Sequence, residues 1–160
     1  MITHPIKPVF DENSRILILG SFPSVKSREA AFFYGHPQNR FWRVISAVLE
    51  ADEPQTIEEK RSLLLKKRIA VWDVIASCDV EGSADNTIKN ARANDIGQIL
   101  ACANIQAIFV NGKTAQKYYD RYIKPTIGRD AVCLPSTSPA NATYSLDRLI
   151  KAWKEICKHL

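Results

Sequence analysis

Three short stretches carry most of the side chains that can do chemistry: Gly20-Ser21-Phe22-Pro23-Ser24, Gly35-His36-Pro37-Gln38-Asn39, and Pro135-Ser136-Thr137-Ser138-Pro139-Ala140-Asn141. They supply hydroxyls, amides, one histidine and a glycine turn where backbone can approach a ligand closely. Such groups orient water and hydrogen-bond a bound molecule; they do not make a covalent catalyst. A serine hydrolase of the α/β type needs G-x-S-x-G at a strand-to-helix elbow followed by an acid and a histidine. Here that elbow is absent, and beyond the His36 stretch the one remaining histidine is His159 at the C-terminus. The G-x-G-x-x-G of a dinucleotide site is missing too. Gly112-Lys113-Thr114 is not a phosphate-binding P-loop, because position 107 is Ala, although Lys113 at a helix start can hold a phosphate of a polymer. Cysteines 78, 102, 133 and 157 form no close pair, so no metal site is expected, and they read as small buried residues in a reducing compartment.

The elements that must position these stretches follow from hydrophobic patterning. Ile16 to Leu19 is apolar on both faces, as in a central strand of a parallel sheet covered by helices, and it runs into the Gly20–Ser24 turn. Ile69 to Ile75 reads as a second strand interrupted by Asp73. A carboxylate there needs partners: it accepts backbone hydrogen bonds, caps the following turn, or faces a ligand. Ile105 to Val110 and Ala131 to Leu134 give the third and fourth strands. Between them lie helical patterns: one opened by Phe41-Trp42 with Asn39 as its N-cap, a charged one over Ile57 to Arg68, one over Ile96 to Ala103, a tyrosine-rich one after Lys113, and a closing helix over Leu146 to Leu160. Met1 to Asn13 reads as an extended lead-in, Cys78 to Ala93 as a polar segment with a loop at 81–86, and Pro125 to Arg129 as a turn. This alternation argues for α/β architecture, in which the loops leaving the strand C-termini gather along one edge. Ser21 to Ser24, Asp73, Asn111 to Lys113 and Pro135 to Asn141 meet there.

At 160 residues with 46% hydrophobic content the chain is read as a single domain, 1–160. Its net charge of +5 permits a nucleic-acid partner without demanding one. Lys26 and Arg28 interleave with Phe32, Phe33 and Tyr34, which suits phosphates and stacked bases, although by themselves the three rings read first as a hydrophobic plug beneath a loop. No apolar run reaches the roughly 18 residues of a membrane span and no signal peptide is visible, so the expectation is a cytoplasmic protein with no membrane partner.

Together the motifs Gly20 to Ser24, Gly35 to Trp42 and Leu134 to Asn141 resemble the uracil-DNA glycosylase superfamily, in particular its hypoxanthine (deoxyinosine) DNA glycosylase branch. The resemblance implies a three-layer α/β/α sandwich with a central four-stranded parallel sheet, no metal or organic cofactor, and hydrolysis of the N-glycosidic bond of a deaminated base in DNA. Uracil-specific members carry an acid or amide before the proline of the first motif and often a histidine opening the last one; here those positions are Phe22 and Leu134. The hypoxanthine branch therefore implies that Asn39 directs the water, beside its plain role as a cap. The same resemblance implies a base pocket from Gly20, Ser21, Phe22, Pro23, Tyr34 and Asp73, with Phe22 the favoured stacking wall. DNA would be held by Ser24, Lys26, His36, Arg40, Lys113, Ser136, Thr137, Ser138 and Asn141, with His36 expected to hold its own loop rather than act as an acid. The expected partner is DNA carrying deaminated bases, bound by a monomer. A non-catalytic nucleic-acid-binding module with the same fold is the competing expectation, favoured by the missing acid of the first motif.

Overall fold

A computed structural model describes residues 1–82 and 84–160. In chain order the elements are β1 (Ile2–Thr3), β2 (Ile16–Gly20), α1 (Val25–Ala30), α2 (Phe41–Val48), α3 (Ile57–Lys66), β3 (Ile69–Asp73), β4 (Ile75–Asp79), β5 (Lys89–Ala93), α4 (Gly97–Cys102), β6 (Ala107–Asn111), α5 (Lys113–Tyr118), α6 (Lys124–Ile127), β7 (Val132–Leu134) and α7 (Leu146–Trp153). A π-helical turn over Tyr119–Ile123 joins α5 to α6, and a 3-10 turn over Lys154–His159 follows α7. Strands β3, β2, β6 and β7 form, in that order, a wholly parallel sheet flanked by helices, the expected α/β/α arrangement. All five residues of β2 and of β3 are buried, which is why Ile16 to Leu19 and Ile69 to Trp72 read as apolar runs, with Asp73 the one polar residue closing β3.

The register sets the site. Gly20 stands opposite Asp73, Leu19 opposite Val110, and Asn111 opposite Leu134. The chain leaves the ends of these four strands on one side, as the β/α alternation requires.

Several sequence expectations are corrected. The stretch from Ile69 to Ile75 is two strands, because the chain bends at Val74. Val74 N–H still reaches Gly20 O at 2.8 Å and Ile75 N–H reaches Ser21 O at 3.0 Å, while Asn94 Nδ2 clamps the bend by donating to Asp73 O (2.9 Å) and Ile75 O (3.2 Å). The polar Cys78 to Ala93 segment holds the end of β4 and all of β5, joined through a 3-10 turn over Asp85–Thr87: β1, β4 and β5 make a second, antiparallel sheet. Its residues read as loop because an antiparallel strand with a solvated face carries polar side chains, as Lys89, Asn90 and Arg92 show by their exposure. Ser83, within the expected 81–86 loop, lies outside the described residues. The lead-in is also anchored: Ile2 and Thr3 pair with β4, and Val9 exchanges two 3.0 Å backbone bonds with Val71 along the free edge of β3. Pro125 does not break its helix; it occupies the first turn of α6, where a missing N–H costs nothing, and the helix ends at Gly128 with φ 69°. Of the four cysteines only Cys78 is buried.

Each of the three tryptophans donates its ring N–H to a backbone carbonyl: Trp42 to Phe33 (3.1 Å), Trp72 to Ile6 (3.3 Å) and Trp153 to Pro135 (2.9 Å). The amphipathic α2 and α7 pack on each other, with Phe41 edge-on to Trp153 at 5.9 Å. Large rings thus lie under the loops leading to Tyr34 and to Ser136.

Candidate active site

A cleft of about 310 Å³ opens where the parallel strands end. That volume is at the lower end of small-molecule sites, roughly 300 to 1,000 Å³. Its lining unites three distant stretches, Gly20 to Ser24, the segment holding Tyr34, His36 and Asn39, and Ser136 to Ala140, together with Asp73, Asn111, Ser27 and Phe33. Twelve of the sixteen expected site residues line it: Gly20, Ser21, Phe22, Pro23, Ser24, Tyr34, His36, Asn39, Asp73, Ser136, Thr137 and Ser138. Lys26, Arg40, Lys113 and Asn141 do not.

Asn39 is fixed by both of its neighbours in space. Its Oδ1 accepts from Phe41 N–H at 2.9 Å, capping the first N–H of α2, and from the Thr137 hydroxyl at 2.9 Å. It does so from one residue before the N-cap position, which Arg40 holds in place of the expected Asn39. Thr137, fully buried, accepts in turn from Asn111 Nδ2 at 3.0 Å, and its own N–H donates to Asn111 Oδ1 at 3.1 Å. An amide oxygen has two lone pairs, and both are used. Because a backbone N–H can only donate, the orientation of the Asn39 amide is determined: Nδ2 is the end left without a protein partner. Capping and display of an NH2 group coexist in one residue.

Asp73 is 4% exposed, and its carboxylate neither caps the turn nor collects backbone N–H groups. It accepts at Oδ2 from His4 Nε2, 2.7 Å away. Oδ1 lies over Gly20, where an added Cβ would collide with it and would stand 3.0 Å from the Tyr34 hydroxyl. Only glycine leaves room for these two oxygens. Tyr34 holds a left-handed backbone (φ 53°) and stacks on Phe41 at 3.9 Å. Its hydroxyl is buried and makes no hydrogen bond of normal geometry, although Asn111 is near. Burial first, and the charge of Asp73 second, hold the Tyr34 phenol well above the usual tyrosine range. The hydroxyl therefore keeps its proton as a donor.

The expected phosphate-holding residues divide. Ser136 Oγ accepts from Ser138 N–H (3.1 Å) and Ser138 Oγ from Ala140 N–H (3.2 Å), so each hydroxyl retains its own proton for donation. Ser24 caps α1 by accepting from Ser27 N–H at 3.1 Å. His36 holds its own loop, accepting at Nδ1 from Gln38 N–H at 3.1 Å, which turns Nε2 into its donor. Asn141 braces the last loop by donating to Ser136 O at 2.9 Å. Arg40 is committed to the same loop, its guanidinium donating to the carbonyls of Tyr144, Ser138 and Asn141. Lys26 is exposed and faces Glu29 at 3.5 Å, and Lys113 is exposed at the start of α5. Among the described residues lining the cleft there is no lysine or arginine.

Sequence reasoning missed His4 and the bracing role of Asn111. His4 stands in a lead-in without periodicity, 69 positions from its partner, and no local pattern marks it. Asn111 ends β6 as a polar residue after an apolar run, a signal that can be read.

Residues 7–157 match the family described as the Uracil DNA glycosylase superfamily. The chain belongs to that superfamily. It is similar to the hypoxanthine DNA glycosylase of Methanosarcina acetivorans, 34% identical over 99% of this chain and 100% of the relative. A protein of the same name from Methanosarcina barkeri is 35% identical over 94% and 95%. Among solved structures, a solution NMR structure of a chain provisionally assigned as a uracil DNA glycosylase, from M. acetivorans, superposes with a TM-score of 0.83 at 33% identity, covering 99% of this chain and 98% of the other. Membership of the uracil DNA glycosylase superfamily gives the enzyme class, a DNA glycosylase and hence a hydrolase. No described helix is long and apolar enough to cross a membrane.

Proposed function

We propose that the protein hydrolyses the N-glycosidic bond of hypoxanthine in DNA and leaves an abasic site. The observation that carries this reading is the cleft itself: an unpartnered amide NH2 at Asn39 and, over Gly20, a carboxylate oxygen beside a phenolic O–H. The names of the Methanosarcina relatives support the choice of base.

In this reading the nucleotide leaves the stack, because its glycosidic bond is shielded within a duplex. Phe22 stacks on the base. Asp73 Oδ1 accepts the ring N1–H of hypoxanthine, and the Tyr34 hydroxyl donates to O6. The base departs with the electrons of the C–N bond while the sugar gains oxocarbenium character; one water adds its hydroxyl to C1′ and its proton ends on the released base. Donation from Tyr34 to O6 stabilises the departing anion, a contribution that grows as the bond breaks. Asn39 holds the water oxygen by donating from Nδ2; an amide is too weak a base to take its proton, so most of the barrier is lowered on the leaving-group side. The Ser136 and Ser138 hydroxyls donate to flanking phosphates.

The test is base release from end-labelled oligonucleotides with a single deoxyinosine or deoxyuridine, single- and double-stranded. Free hypoxanthine and an alkali-labile site are expected. Bound DNA with no base released would replace this reading by a non-catalytic binding module.

A further inference from the structure

We propose that His4 is a positioning residue for base recognition: its Nε2–H holds Asp73 Oδ2 so that Oδ1 is presented to the cleft as a fixed acceptor for a ring N–H. The inference rests on the glycosylase reading and extends it to a residue of the lead-in.

The hydrogen bonds determine the tautomer. Ile6 N–H donates to His4 Nδ1 at 3.1 Å, so Nδ1 bears a lone pair and the ring hydrogen is on Nε2. That hydrogen points at Asp73 Oδ2, 2.7 Å away. The two side chains are 3% and 5% exposed, so bulk water does not take the place of either partner. The imidazole is held on every side. The backbone N–H of His4 donates to Ala76 O at 2.6 Å, Phe22 and Trp72 meet the ring edge-on at 6.0 and 6.5 Å, and the Trp72 indole pins Ile6 O. One carboxylate oxygen is thereby occupied and the other can only look over Gly20, beside the orphaned Tyr34 hydroxyl.

An acceptor beside a donor is the complement of a lactam, –NH–C(=O)–, which hypoxanthine presents and adenine does not. Adenine offers a lone pair at N1 and hydrogens at N6, so N1 would face the carboxylate lone pairs. The pair thus separates the deaminated base from its parent. The His4 N–H has a second effect. A carboxylate beside a departing anion works against departure, and donation to Oδ2 draws charge away from Oδ1.

The experiment compares wild type with His4→Leu, His4→Gln, Asp73→Asn and the His4→Leu/Asp73→Asn double variant. Single-turnover hypoxanthine release is measured together with affinity for abasic product DNA. His4→Leu should slow release roughly 10- to 100-fold with abasic affinity unchanged. His4→Gln, which can still donate to Oδ2, should recover most of the rate. In the Asp73→Asn background, His4→Leu should add nothing. Release by His4→Leu at the wild-type rate, equal losses of release and abasic affinity, or multiplying effects in the double variant would overturn the inference. On the unaltered protein, the His4 Nε2–H resonance should shift when free hypoxanthine is added, and its indifference to the base would count equally against the proposal. A wild type that releases no base overturns the glycosylase reading instead.

Discussion

The two ends of the Asn39 amide have different obligations, and substitutions can separate them. Asn39→Ala removes both and should lower single-turnover base release about 10²- to 10³-fold, as for loss of one preorganised donor, with about 1 kcal/mol of stability from the lost cap. Asn39→Asp keeps an oxygen for Phe41 N–H and Thr137 but replaces the NH2 by a second oxygen. Its melting temperature should stay near wild type while release falls as in Asn39→Ala; activity at the wild-type level would mean that the water needs an acceptor. Gly20 is constrained from the other direction. A methyl there meets Asp73 Oδ1 and the Tyr34 hydroxyl, so Gly20→Ala should cost about 1 to 3 kcal/mol in thermal melts. It should also reduce hypoxanthine release more than abasic DNA binding.

At the scale of elements, the Pro135–Asn141 loop owes its shape to tethers as much as to its prolines. Arg40, at the mouth of α2, spans from its own N–H on Thr137 O (3.0 Å) to carbonyls as far along as Tyr144. A phosphate anchor and a loop tether make different predictions for Arg40→Met. Loss of an anchor would reduce the salt slope of DNA binding by about 1. The tether predicts an unchanged slope, a lower melting temperature and slower base release, all readable from one set of titrations and melts. The same contrast explains what could be read in advance. The inner parallel strands were legible because both faces are buried, which makes Ile16 to Leu19 apolar throughout. The antiparallel sheet was not, since its solvated face fills β5 with Lys89, Asn90 and Arg92. Asn39, Asp73 and the serines of the last loop could be picked out by type and position. Whether Arg40 faces phosphate or protein, and that His4 reaches Asp73, depend on how distant segments close on one another, and spacing carries no trace of that.

For the whole molecule, the lead-in is a strap across two sheets. Thr3 pairs with β4, Val9 with β3, and Ile6 and Val9 are 5% and 1% exposed between them. Val9→Ala should therefore cost about 2 kcal/mol, seen as a lower denaturation midpoint. Because the same strap carries His4, hypoxanthine release should fall before the molecule unfolds. The three indoles tie this strap, the Tyr34 segment and the last loop to the body of the protein, one each. The strap that holds Asp73 and two of the cleft's three walls consequently each carry a native reporter, a single indole N–H resonance bonded to that segment's backbone. The order in which these segments respond to damaged DNA can be timed from three spectral lines, without attaching a label to the chain.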